Sequence, residues 1–169
     1  IIGEPIGLPS GYSVIEGYIV GPNVNLQYAR LSGAEMSGVN LSGANLEDAN
    51  LEDANLSGAD ITGAYLTWLN LSGVSSGGIT GTHIGLPSGY RVIEGYIVGP
   101  NVNLSDAQLS DANLWGSDLS GADLTNANLS SAYLYGADLT GVSLSGADLS
   151  GVDLSGVDLS GACLLYTSP

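Results

Sequence analysis

The chain predicts an all-β solenoid, a backbone wound into stacked coils, and three observations carry that prediction. The first is a period of five: Leu, Ile or Met occupies every fifth position from Leu26 to Leu71, and Leu does so again from Leu104 to Leu164. In an α-helix five residues turn a side chain by about 140°, so such leucines would scatter around the axis. In a flat strand, side chains five apart point to opposite faces, and half would lie in water. All of them stay on one side only if the chain turns a corner about every five residues in a constant sense. The second observation is a small residue two places before nearly every one of these centres. The third is composition: 26 glycines, no phenylalanine and two basic residues in 169 leave too few bulky side chains for an ordinary globular core. Repetition compensates, since each buried leucine contributes about 1.5–3 kcal/mol. Ordering the backbone costs about 1–2 kcal/mol per residue, so one coil alone does not persist but several stacked coils do.

The unit reads A-N/D-L-S/T-G, as in Ala44-Asn45-Leu46, Ala59-Asp60-Ile61, Ala122-Asp123-Leu124 and Ala147-Asp148-Leu149. It resembles the pentapeptide-repeat family. That resemblance implies a right-handed quadrilateral parallel β-helix, in which the central leucine and the small residue two before it point inward and four pentapeptides make one square coil. The four sides come from the resemblance, whereas the five-residue corner spacing comes from the arithmetic.

Residues 1–23 hold a first GLPSGY/EGYIVGP module, and residues 24–73 a first array of ten centres: Leu26, Leu31, Met36, Leu41, Leu46, Leu51, Leu56, Ile61, Leu66 and Leu71. Residues 74–101 hold a bridge, Ser75-Ser76-Gly77-Gly78, expected as a hinge or loop, and a second copy of the module. IGLPSGYSVIEGYIVGPNVNL at 6–26 recurs at 84–104 as IGLPSGYRVIEGYIVGPNVNL, with Ser13 replaced by Arg91. Tyr90 to Ile93 and Tyr96 to Val98 alternate like short strands around Glu94-Gly95, which predicts a small hairpin. The copies are 78 residues apart, not a multiple of five, so the region between the arrays contains a departure from the pentapeptide register. Residues 102–164 form a second array of thirteen centres, and 165–169 a non-repeat tail. Because the module precedes each array, it reads as the leading element of a duplicated unit, one module followed by one array. Ile1 is not an initiator Met and the tail leaves the motif, so a fragment of a longer protein is expected, with ends that pack on further chain or on another copy.

Seventeen carboxylates against two arginines give a net charge of −15, which repels nucleic acid and argues against direct binding to it. The expected partner is a protein, and a DNA-binding protein is one such class. Some pentapeptide-repeat proteins that protect or inhibit DNA gyrase resemble duplex DNA in shape and charge. Six coils at about 4.8 Å make a rod of roughly 30 Å, and duplex DNA of that length carries roughly 17 charges. Projected on a twenty-residue coil, Asp118, Asp138 and Asp158 stack into one carboxylate ladder, while other acids such as Glu47, Asp53, Asp106 and Asp148 spread over several sides. Such acids also simply keep a solenoid soluble. Against the gyrase resemblance, the centres lack phenylalanine and no C-terminal dimerising helix is visible.

Trp115 and Tyr135 fall at one outward position a coil apart with Tyr133 nearby, and Tyr28 and Trp68 share a column with Asp48. Exposed aromatics mark contact sites, or they stack to stabilise neighbouring coils. His83 is the only histidine and Cys163 the only cysteine, and the carboxylates are regularly spaced rather than convergent, so no catalytic residues are assigned. No cofactor or metal is expected, because adjacent rungs of the Asp118 ladder supply fewer than the six to eight oxygens of a calcium site. One cysteine makes no internal disulfide, and no apolar run reaches the ~18 residues of a membrane span. The sequence therefore points to a non-catalytic acidic solenoid serving as a structural or protein-interaction module. A DNA mimic acting on a DNA-binding enzyme such as gyrase, and a carbohydrate- or partner-binding accessory module using the aromatics, are the alternatives.

Overall fold

The computed structural model describes residues 7–163. The chain forms two compact units that meet at Ser88 and Gly89 in sequence. Each begins with a β-hairpin and continues as a parallel β-helix.

In the first unit β1 (Ser13–Ile15) pairs antiparallel with β2 (Tyr18–Val20), Val14 opposite Ile19. In the second, β3 (Arg91–Ile93) pairs with β4 (Tyr96–Val98), Val92 opposite Ile97. Both central turn residues have positive φ, 48° and 80° at Glu16-Gly17 and 49° and 77° at Glu94-Gly95, the geometry whose twist suits a two-residue hairpin. The expected hairpin is present, one residue shorter at its start than Tyr90. Tyrosines lash each hairpin to its coil. The Tyr12 hydroxyl donates to the Pro22 carbonyl and Tyr90 to Pro100, each at 3.0 Å. The Tyr18 and Tyr96 hydroxyls accept from the amides of Arg30 and Gln108 at 3.1 and 3.0 Å. Gly21 and Gly99 lie flat on the rings of Tyr12 and Tyr90, where a Cβ would collide with the ring.

The coils pair at a spacing of twenty, so four pentapeptides do make one coil. Asn25 bridges Asn45, Arg30 bridges Asn50, Glu35 bridges Asn55 and Asn40 bridges Asp60, one pair on each side; Asn103–Asp123, Gln108–Asn128, Asn113–Tyr133 and Asp118–Asp138 repeat this in the second unit. The centres and the small residues two before them line the interior: Leu31, Leu46, Leu109, Leu119, Ala34 and Ala127 are all fully buried. Corners are built from two local bonds. The amide three residues past a centre closes a turn onto that centre's carbonyl, as Ala44 N–H to Leu41 C=O at 2.9 Å. The third residue of the turn needs positive φ, supplied by glycine at Gly43 (66°) but by Asp48 (56°), Tyr28 (60°) and Trp68 (60°) at other corners. Where Asn or Asp precedes a centre, its Oδ1 accepts the amide two residues on, as Asn45 Oδ1 from Glu47 at 2.9 Å and Asp60 Oδ1 from Thr62 at 2.9 Å. This Asx turn is why the repeat specifies Asn or Asp there.

Ser75–Gly78, expected as a hinge or loop, continues the coil instead: Ser75 bridges Asn55 and the Gly77 carbonyl accepts from Gly58 at 2.7 Å. Its serine and glycine composition suggested a loop, but the ladder and buried Val74 and Ile79 hold this segment as one more side. The register departure lies just beyond, where Asp60 bridges Thr80 at twenty residues but Tyr65 bridges Ile84 at nineteen. One residue is therefore dropped among Gly81, Thr82 and His83. The last centre, Leu164, and the tail lie outside the described residues, as do residues 1–6. In the final coil Leu149, Leu154 and Leu159 are only half-buried.

Candidate interaction surface

The six residues singled out from sequence all lie in the second unit, on two adjacent sides of its coil. Asp118, Asp138 and Asp158 form consecutive parallel bridges and so stand in one column. Their carboxylates are working corner groups. Asp118 Oδ1 accepts from the Ser120 amide at 3.0 Å and from its hydroxyl at 2.6 Å, Asp138 Oδ1 from the Thr140 amide at 2.9 Å, and Asp158 Oδ1 from the Ser160 amide at 2.9 Å. Hydrogen bonds from the Ser160 side chain and then its amide hold the Asp158 carboxyl below its usual range. Asp118 is half-covered by the hairpin: a Cβ on Gly89 would sit 3.8 Å from its Oδ2. Burial first, and the Asp118 charge second, push the Tyr90 phenol above its ordinary value. Asp138 and Asp158 are exposed.

Trp115, Tyr133 and Tyr135 are 62%, 65% and 63% exposed, so stacking covers only a minor part of each ring. With Asn113 they line a shallow depression of about 350 Å³. The backbone beneath is fixed: Asn113 bridges Tyr133, Leu114 N–H donates to Tyr133 C=O at 3.0 Å, and Trp115 N–H donates to Asn113 Oδ1 at 3.2 Å. The ladder lapses one coil on. Asp153 lies twenty residues after Tyr133, yet among the described residues no bridge joins them. Tyr133, Tyr135, Gly151 and Asp153 line a second depression there, about 280 Å³. Tyr135 leans over Gly156, whose absent Cβ would lie 3.7 Å from its ring.

The duplication supplies an internal comparison. At the 78-residue offset Asn113, Trp115, Tyr133 and Tyr135 correspond to Glu35, Ser37, Asn55 and Ser57, polar residues on a coil that folds alike. The Asp column corresponds to Asn40, Asp60 and Thr80. The aromatic group therefore answers no requirement of the coil itself.

Two features escaped the sequence reading. Arg91 Nη2 donates to the Trp115 carbonyl at 3.0 Å and to the Ser117 hydroxyl, tying the hairpin to the coil beside the aromatic face. Ser117, 3% exposed, is the buried polar side chain among the described residues, at an inward position that elsewhere holds an apolar residue, most often Ala. The first unit has Ser13 and Val39 at these two places, so aligning the arrays as well as the modules would have shown the pair. The second is the backbone of Trp68, a residue the sequence already placed in a column with Tyr28: it is 77% exposed and held at φ 60°, where the second unit has Gly146. A bulky residue is strained in that region of backbone space. Asp48, Thr67, Leu86 and Pro87 join it around a depression of about 620 Å³. His83 Nδ1 is buried without a hydrogen-bond partner. No helix among the described residues is long and apolar enough to cross a membrane.

Comparison with known proteins agrees with the repeat geometry. The comparison with curated proteins gave no match. Among solved structures, HetL, a pentapeptide repeat protein involved in heterocyst differentiation regulation from the cyanobacterium Nostoc sp. strain PCC 7120, is 29% identical over 85% of this chain, with a TM-score of 0.34. This chain spans 63% of the HetL chain. Full-length QnrB1, a plasmid-mediated fluoroquinolone resistance protein, is 25% identical over 85% of this chain and 80% of its own, with a TM-score of 0.43. The family description Pentapeptide repeats matches in eight copies, over residues 23–43, 40–75, 103–141 and 132–165. With more than half of its length matched and its coils closing every twenty residues, the chain belongs to the pentapeptide-repeat family.

Proposed function

We propose that this chain is a non-catalytic protein-interaction module whose contact surface is the aromatic face of the second unit. One observation carries the reading: Trp115, Tyr133 and Tyr135 expose most of their surface at positions where the duplicate coil does without aromatics. Large flat rings held on a rigid scaffold lose little entropy on binding and are the side chains that dominate interfaces. The test is capture of partners by the intact parent protein before and after Trp115→Ser with Tyr135→Ser. Both positions are serine in the first unit, so the coil is expected to survive and capture to be lost. Undiminished capture by the double variant refutes the reading. A glycan array run with the same pair of proteins addresses carbohydrate as the alternative ligand of that face.

A second reading, a DNA mimic that occupies the DNA site of a DNA-binding enzyme such as gyrase, is favoured by the Asp118–Asp138–Asp158 column and the charge of −15. Hydrogen bonding to Ser120, Thr140 and Ser160 engages one oxygen of each carboxylate and leaves its charge in place. Inhibition or protection in a gyrase supercoiling assay that fades as salt rises is the expected result for a mimic. No effect at low salt excludes it.

A further inference from the structure

We infer that the depression formed by Tyr133, Tyr135 and Asp153 receives a lysine or arginine side chain of a basic protein segment; this rests on the aromatic face being the contact surface. Three observations converge there. Tyr133 and Tyr135 are each more than half exposed, and an aromatic ring attracts a cation placed over its face. The carboxylate of Asp153 lines the same depression, so a guanidinium or ammonium over the rings also meets an anion. Among the described residues Asp153 lacks the bridge to Tyr133 that Asn113 makes, and the recess lies between these two unbridged rungs.

Charge complementarity selects the occupant. A protein of net charge −15 with two arginines offers little to an acidic or neutral segment at long range and attracts a basic one. The arrangement also sets direction. Arg91 is anchored at the Trp115 carbonyl, on the hairpin side of the face, so a like charge is disfavoured there and admitted at the Asp153 end. Asp153 is available for this because its corner needs only Oδ1, which accepts from the Ser155 amide at 2.9 Å. Asparagine meets the same need elsewhere, as at Asn128, whose Oδ1 accepts from the Ser130 amide at 3.1 Å. The charge of Asp153 is thus separable from its part in the fold.

The test is an amide-resolved NMR titration of the full chain with the peptide Ac-Gly-Ser-Gly-Arg-Gly-Ser-Gly-NH2 and with the same peptide carrying Gln for Arg. The Arg peptide is expected to shift the amides around Tyr133, Tyr135 and Asp153, and to bind at least about 5-fold more tightly than the Gln peptide. Asp153→Asn is expected to weaken it about 3-fold, whereas Asp148→Asn, an equal loss of charge on another side of the coil, leaves it within about 2-fold. Tyr133→Leu with Tyr135→Leu keeps apolar area and removes the rings, and a loss of roughly 10-fold is expected. Equal weakening by Asp148→Asn and Asp153→Asn overturns the inference, because the attraction is then that of the whole acidic surface. Equal binding of both peptides at Tyr133 and Tyr135 overturns the cation while leaving an aromatic contact surface. No shift at these residues overturns it too, and if Trp115→Ser with Tyr135→Ser also leaves partner capture intact, the contact surface falls with it.

Discussion

Exchanging Arg91 and Ser117 for their first-unit counterparts, Ser13 and Val39, tests how the hairpin is fastened to the second coil. In the present structure Arg91 Nη2 is the hydrogen-bond partner of the Ser117 hydroxyl, which is 3% exposed, and it also donates to the Trp115 carbonyl at 3.0 Å. Arg91→Ser removes both bonds and strands a buried hydroxyl. An unpaired buried polar group costs about 1–3 kcal/mol, and because the guanidinium is exposed the lower half of that range, about 1–2 kcal/mol, is expected. Ser117→Val alone keeps the bond to Trp115 and fills an inward position that accepts Val39 in the duplicate, so its cost is below about 1 kcal/mol. The double variant recreates the first unit's pair. It should therefore be more stable than Arg91→Ser alone, with a coupling of about 1 kcal/mol in the double-mutant cycle. Denaturation is followed by Trp115 fluorescence in a Trp68→Tyr background, which leaves one tryptophan as a reporter within the second unit. At this chain length about 1 kcal/mol corresponds to roughly 2–4 °C in Tm. Strictly additive effects, or an Arg91→Ser variant within about 0.3 kcal/mol of the parent, refute the fastening.

Three further outcomes are expected. Gly99→Ala drives a methyl into the Tyr90 ring and disturbs its bond to Pro100, at a cost of about 1–3 kcal/mol in thermal unfolding of the second unit. Leu119→Ala, at a fully buried centre, costs about 3–5 kcal/mol, whereas Leu159→Ala, at a half-buried centre of the last coil, costs less; denaturant titration compares them. Asp60 and Asp153 lie below the ordinary value of 3.8, chiefly through the hydroxyls of Thr62 and Ser155. A carboxyl depressed in the folded state contributes stability that is complete above its unfolded value and is lost as pH falls through the folded one. Tm is therefore expected to hold steady from neutral pH down to about 4 and to drop below it, and Asp→Asn changes at Asp60 and Asp153 flatten that drop while keeping the corner.

Sequence periodicity by itself determined that the five-spaced centres are buried and that corners recur between them, and local alternation around Glu94-Gly95 gave the hairpin. Leu at every fifth position has one solution that keeps it dry, and that constraint is local enough to be read residue by residue. The Asn or Asp before each centre was legible as a motif, but its role as acceptor for the amide two residues on emerged only from the corner geometry. Serine and glycine at Ser75–Gly78 read as a loop because composition carries no information about the rung beneath, and the ladder to Asn55 and Gly58 decided otherwise. The offset of 78 announced a departure from the five-residue register, and the nineteen-residue step from Tyr65 to Ile84 located one dropped residue ahead of the second module. Columns such as Asp118–Asp138–Asp158 followed from counting by twenty. Which face was open, and where the ladder lapses between Tyr133 and Asp153, did not follow, because exposure and ladder continuity depend on how side chains from separate coils fill the space between them. Arg91 reaching Ser117 belongs to the same class: residues 26 apart in sequence meet only when a hairpin folds back on a finished coil.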